Sequence, residues 1–544
     1  MAQCFDHDVL IIGAGFAGMY AIHRLREQGF GVRCFERGDD VGGTWYWNRY
    51  PGARCDVQSM FYSYSFSEEL EQEWEWTEIF PAQPEILRYA QHVADRFGLR
   101  RDIEFGVSVV SAVFDEAAQV WRVRIADGRE ATARWLVTAV GCLSASRVPD
   151  FPGLGDFRGE TYHTGQWPHE GVDFSGKRVA VVGTGSSGIQ VIPQIAEQAA
   201  HLTVLQRTAA YSLPARNRPL RTDEVEAVKT DYRRFRATNS VAPAGVPIML
   251  PIGSAIEVTA AEGQAEMSKR WQAGGTAFMT TFNDTTRVLA ANDISAEFVR
   301  DRIKEIVDDA DTAERLTSRD YPIGTKRICL DTDYFATYNR DNVTLVSLRE
   351  KPLERITPTG VRVGEEDLEF DAIVFATGYD AMTGPLNAID LRGAGGQLLR
   401  EKWAAGPRTY LGIASAGFPN LFMLTGPGSP SVLVNMIVSI EQHVDWVADL
   451  LVRARDNAVV RIEAQPESED RWVEHVNELA ASTLFVKAAS WYLGANVPGK
   501  PRVFMPYIGG MGAYRKTCDD VAASGYRGFT TSPEDALDRA EIPA

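Results

Sequence analysis

Two glycine-rich turns carry the clearest chemistry in the chain. One reads Gly13-Ala14-Gly15-Phe16-Ala17-Gly18, the other Gly183-Thr184-Gly185-Ser186-Ser187-Gly188. This spacing lets backbone N–H groups and a helix N-terminus approach a pyrophosphate, where any Cβ would meet the phosphates. Beyond the first turn stands Glu36, placed to accept from a ribose hydroxyl. Its carboxylate suits FAD or NAD and repels a 2′-phosphate. The matching position after the second turn reads Gln206-Arg207-Thr208, with no acid. A guanidinium fork suits a phosphate, so this site reads as NADP-binding, with Lys326 a second cation if the fold brings it near. Two dinucleotides held by one chain imply electron transfer between them.

A third stretch runs from Val41 to Asp56 and contains Gly42, Gly43, Trp45, Tyr46, Arg54 and Asp56. Its glycines allow close approach to a flat ring, beside which the aromatics can pack. Arg54 and Asp56 bring opposite charges into apolar surroundings, where each needs a partner, either a structural ion pair or a ligand. His163 lies among apolar and small residues at the junction of the two nucleotide units, so a backbone-bonded structural role or a hinge is expected for it.

The elements that must position these residues follow the βαβ grammar twice. Residues 8–12, 19–26 and 31–36 read as strand, helix and strand around the first turn. Residues 178–182, 189–195 and 201–207 repeat the pattern around the second. Residues 135–141 and 371–378 are apolar strands that end in small residues and close the two sheets. Between about residues 223 and 320 the pattern turns helical, as in 294–306, and a long helix is expected over 437–453. The predicted fold class is α/β, with two dinucleotide-binding, Rossmann-like domains and a helical insertion in the NADP domain. The FAD domain takes 1–145 and 384–544, the NADP domain 152–220 and 326–383, and the insertion 221–325.

Composition narrows the function further. With 45 % hydrophobic and 24 % charged residues the chain is globular, and at 544 residues it divides into two or three domains. A formal net charge of −17 argues against nucleic acid or an anionic membrane as partner. No apolar run reaches the length of a bilayer span, and residues 1–8 lack a basic and apolar leader, so a cytoplasmic location is expected; a monomer is expected separately. The six cysteines (Cys4, Cys34, Cys55, Cys142, Cys329 and Cys518) form no C-x-x-C pair and read as free buried thiols. That argues against a disulfide reductase, another common home of two dinucleotide folds. No metal site is expected.

Over nearly its whole length the chain resembles the type I Baeyer–Villiger monooxygenases. Phe157-x-Gly159-x-x-x-His163-x-x-x-Trp167-Pro168 matches that family's fingerprint, and Trp167 separates it from the flavin-containing N- and S-monooxygenases. Trp45 through Asp56, the pair Lys326-Arg327, and Ser490-Trp491 through Asn496 match as well. The resemblance implies FAD contacts at Gly13, Gly15, Gly18, Glu36, Trp45, Asp56, Tyr62, Val109 and Met436. It implies NADPH contacts at Gly183, Gly185, Ser186, Ser187, Gly188, Gln190, Arg207, Thr208, Lys326 and Trp491, with Arg54 to Asp56 nearby. Arg327 would be the catalytic arginine beside the cofactors, oriented by Asp56, while Ser431, Val432, Leu433 and Met436 would line the ketone pocket.

The implied reaction consumes NADPH and O2. Reduced FAD forms a C4a-peroxyflavin, which attacks an aryl, linear or cyclic ketone to give an ester or lactone. A guanidinium, with a pKa above ~12, stabilises the peroxide anion without protonating it. NADP+ stays bound and shields the site from water. The alternative is a heteroatom (N/S) monooxygenase or an NADPH oxidase using the same flavin chemistry.

Overall fold

A computed structural model describes residues 5–533 as a mixed α/β protein built on two mainly parallel sheets. In the first, His7–Ile12 lies between Val32–Phe35 and Glu130–Thr138, parallel to both. Val9, Leu10 and Ile11 are fully buried, as expected of a central strand covered on both faces. Glu130–Thr138 pairs with Val120–Ile125 along its first half and with Leu421–Met423 along its second. A late strand thus returns to the N-terminal sheet. The second sheet is wholly parallel, ordered Val343–Ser347, His201–Gln206, Arg178–Val182, Ala372–Phe375 and Glu160–His163.

Both glycine turns are built alike, and close backbone approach explains their composition. Gly13 has φ +102°, and a Cβ there would stand 2.6 Å from the Ala139 carbonyl oxygen. Gly183 has φ +106° and the same 2.6 Å approach to the Ala376 oxygen. The strands expected at 135–141 and 371–378 end at Thr138 and Phe375, and the small residue after each supplies that carbonyl. Gly18 and Gly188 face inward: a Cβ would fall 1.8 Å from the Gly13 oxygen and 2.3 Å from the Gly183 oxygen. They let the helices Phe16–Glu27 and Ser186–Gln198 rise directly from the turns.

The insertion is bracketed by two short strands, Ser212–Pro214 and Cys329–Asp331, which pair in parallel. Its helices divide between the two units. Met267, Trp271, Phe278 and Phe298 join Val179 and Val181 in the core of the second. Tyr232, on the helix Tyr232–Val241, enters the core of the first. That docking is fixed by Arg236, whose Nε donates to Glu71 at 2.6 Å and whose Nη2 donates to Ser63 Oγ at 2.8 Å, and by Phe235 stacked on Phe61 at 4.6 Å. A charge pair so thoroughly buried holds only where further hydrogen bonds complete it, and here Ser63 and the Tyr64 carbonyl do so.

The long helix expected over 437–453 spans Met436–Asp456 and lies against Phe16–Glu27, with Tyr20 Oη donating to Asp445 at 2.8 Å. No helix of the described residues is long and apolar enough to cross a membrane. Cys34, Cys55, Cys142, Cys329 and Cys518 are buried and free, and Cys4 lies outside the described residues. His163 is buried and accepts the Gly165 N–H at Nδ1, 3.0 Å away; burial lowers its pKa, which fits the structural role.

Glu441, on the same long helix, is buried and accepts from the Ser65 N–H at 2.6 Å and from the Ser65 hydroxyl at 2.7 Å. Burial pushes its pKa up from 4.5 to about 7. The folded state therefore keeps a proton that the unfolded chain releases between those values. The stabilising contribution is complete below pH 4.5 and is lost as pH rises through about 7. Thermal melts of Glu441→Gln should match the parent near pH 4 and exceed it at pH 8. A constant gap across that range would refute the assignment.

Candidate active site

The two glycine turns open onto one cleft of about 1160 Å³ at the carboxyl ends of both sheets. That exceeds the several hundred Å³ typical of a pocket for one small ligand. Gly13, Gly15, Glu36, Trp45, Tyr62, Val109 and Met436 line its first half. Gly183, Gly185, Ser186, Ser187, Gln190, Arg207, Thr208 and Lys326 line its second; Arg54, Asp56, Arg327 and Val432 lie between, and Trp491 packs in one cluster with Val432 and Met436. Gly18 and Gly188 are absent from the wall, because they serve helix packing. Ser431 and Leu433 are also not among the lining residues; Ser431 is fully buried with φ +42°.

In the first half, Glu36 is buried, and its carboxylate accepts from Ala14 N–H and Gly38 N–H, each at 2.7 Å. No cation pairs with it among the described residues, which leaves its remaining lone pairs for hydroxyl donors in the cleft. Trp45 Nε1 donates to Tyr62 Oη at 3.0 Å, so the two rings meet edge to face.

In the second half, Arg207 is exposed and has no ion pair among the described residues. Lys326 lies 4.3 Å over the Tyr321 ring, and its pKa is lowered by burial and then by Arg207. The fold therefore does bring the two cations together. The sequence reading missed Arg349, which donates from Nε to the Arg207 carbonyl at 2.8 Å and pairs with Asp320. It follows the strand Val343–Ser347, and only the pairing of that strand with His201–Gln206 reveals its neighbour.

The charges of the 41–56 stretch do not pair with each other. Arg54 bonds Glu78 at 2.7 Å and also the Phe80 carbonyl. Asp56 accepts from Arg327 Nε at 3.1 Å, and Arg327 Nη1 donates to the Val432 carbonyl at 2.9 Å. Burial alone would lower the Arg327 pKa, but Asp56 and the Tyr492, Cys329 and Cys55 side chains raise it above the ordinary value. The arginine stays charged. A third of its side-chain surface, 33 %, is uncovered, and it opens onto the cleft. Arg327 precedes the strand Cys329–Asp331, and Cys329 Sγ lies 3.0 Å from Ser186 Oγ, so the second glycine turn and the arginine share one support.

Gln190 joins the two halves. It accepts from Tyr50 Oη at 2.7 Å and donates to the Arg54 carbonyl at 3.0 Å. Gly52 permits this approach, since a Cβ there would fall 2.3 Å from the Gln190 oxygen. Tyr50 lies inside the matching 45–56 stretch, but the resemblance implies no role for it there, and Glu78 has no motif to single it out.

A family model described as flavin-binding monooxygenase-like matches residues 6–218. A Baeyer-Villiger monooxygenase of Pseudooceanicola batsensis is 43 % identical over 96 % of this chain and 95 % of its own length. An acetone monooxygenase (methyl acetate-forming) of Gordonia sp. is 40 % identical over 96 % of this chain and 99 % of its own. Among solved structures, an oxidised steroid monooxygenase bound to NADP superposes with a TM-score of 0.92 at 52 % identity, covering 96 % of this chain and 99 % of that one. Similarity at this level, spread over both glycine turns and the cleft between them, shows that the chain belongs to the Baeyer–Villiger monooxygenases.

Proposed function

We propose that this protein is an FAD- and NADPH-dependent monooxygenase that inserts one oxygen atom of O2 beside a ketone carbonyl, giving an ester or, from a ring, a lactone. The observation that carries the reading is Arg327, a charged guanidinium set between two dinucleotide turns and open to their common cleft. The residues fit both cofactors. Gly13 and Gly183 admit no side chain where backbone must face a pyrophosphate. Glu36 offers an uncompensated carboxylate to a ribose, and Arg207 with Lys326 offers positive charge to a 2′-phosphate. We assign FAD to residues 1–145 and 384–544 and NADP to residues 152–220 and 326–383, with 221–325 as the insertion.

Bound in this cleft, the two cofactors supply hydride transfer and the activation of dioxygen. As the ketone carbon is attacked, negative charge collects on the carbonyl oxygen, and Arg327 stabilises it. A guanidinium is suited to this because it gives up no proton at working pH. Asp56 and the Val432 carbonyl hold two of its N–H groups, so the fork is oriented before the substrate arrives. Val432 and Met436 offer an apolar wall to the ketone substituents, with Leu143 and Val434 beside them. Ser431 and Leu433 act from behind that wall, through the path of the backbone.

A panel of aryl, linear and cyclic ketones, incubated with purified protein, NADPH and air, should yield esters or lactones by gas chromatography. Sulfoxide from a thioether with no ester from any ketone would favour heteroatom oxygenation instead. Arg327→Ala should still oxidise NADPH while ester formation falls by about a hundredfold or more; ester at the parent rate would remove Arg327 from the reaction. Arg207→Ala should raise the KM for NADPH by about tenfold or more, the loss of a charge-assisted contact, and leave that for NADH nearly unchanged. Equal effects on both would take Arg207 out of the phosphate site.

A further inference from the structure

We infer that His443 is a positioning residue for the flavin half of the cleft, acting through the backbone of Thr425. The inference rests on the reading above that FAD occupies the first nucleotide unit. Thr425 lies just beyond the strand Leu421–Met423, at the carboxyl edge of the first sheet, and lines the cleft. Edges of this kind are where open α/β sheets hold their ligands. Its φ is +53°, a left-handed conformation that β-branched residues rarely adopt. Such a backbone persists only when its surroundings over-determine it.

The surroundings are a relay of hydrogen bonds from two helices. His443, fully buried on Met436–Asp456, accepts the Thr425 N–H at Nδ1, 3.1 Å away. A backbone N–H only donates, so Nδ1 carries no proton and Nε2 does. Nε2 then donates to Tyr514 Oη at 2.7 Å, and Tyr514, on the helix Met511–Ala523, donates to the Leu411 carbonyl at 2.5 Å. Leu411 is itself left-handed, with φ +58°. The two strained turns abut, since a Cβ on Gly426 would stand 2.6 Å from the Gly412 oxygen. One relay thus clamps both. Burial lowers the His443 pKa to about 3, so the ring stays neutral and keeps the acceptor that Thr425 needs.

A phenylalanine could fill the same space but could not accept that N–H, whereas a glycine at 425 would need no clamp. The test is FAD titration of the apoprotein, followed by flavin fluorescence and the visible absorption band, for the parent, His443→Phe, Thr425→Gly and the double variant. His443→Phe should bind FAD about tenfold more weakly, equivalent to about 1.4 kcal/mol, with an altered flavin spectrum. Thr425→Gly is the reference for the double variant, and against that reference His443→Phe should weaken FAD binding by less than about threefold. Parent-like affinity and spectrum in folded His443→Phe would overturn the inference, as would a loss of about tenfold from His443→Phe in the Thr425→Gly background. If His443→Phe does not fold, Tyr514→Phe, paired with Thr425→Gly, is judged by the same outcomes. A parent that takes up no FAD would sink the reading of the cleft rather than the role of His443.

Discussion

The ion pair between Asp56 and Arg327 is the constraint on which the arrangement turns. Its members are 271 positions apart in the chain, one at the end of the 41–56 stretch and the other just past the insertion. A charge in a half-enclosed cleft is costly unless its partner is fixed, and neither residue can be fixed locally. The strand Cys329–Asp331 anchors the arginine, while Arg54, bonded to Glu78, anchors the stretch that carries the aspartate. The two nucleotide units must therefore meet in one relative placement for the cation to be oriented at all.

That placement is secured by close backbone approach and by polar bonds. Gly52 lets the 41–56 stretch run against the helix Ser186–Gln198, and Gln190 ties Tyr50 to the Arg54 carbonyl there. Elsewhere along the cleft, Tyr379 Oη donates to Asn48 at 2.8 Å, and Asn496 Nδ2 donates to the Tyr379 carbonyl at 2.6 Å. These contacts are short polar bonds between segments of different units, and polar bonds of this kind fix geometry even where each adds only about 1 kcal/mol.

Much of this was legible in the sequence where the cause is local. Both glycine turns, the strand and helix around each, and Glu36 follow from steric needs that act within about thirty residues of chain. Lys326 was legible only conditionally, because its approach to Arg207 depends on how the insertion closes. Arg349 and Glu78 were silent, since an isolated charged residue looks like surface until its neighbour is known. The docking of the helix Tyr232–Val241 was silent for a different reason: an apolar stripe announces that it will be covered, not by which unit. The clamp on Thr425 belongs to the same class, because nothing in a run of Leu-Thr-Gly betrays a left-handed threonine.

The parallel pairing of Ser212–Pro214 with Cys329–Asp331 has a consequence for how such a chain can diversify. About a hundred residues leave and return at one point, and the entropy of closing so long a loop changes little with its exact length. Segments can thus be lengthened, shortened or exchanged within that excursion while the guanidinium at its base keeps its station. Reach toward differently sized molecules becomes free to drift, and the reacting centre does not have to drift with it.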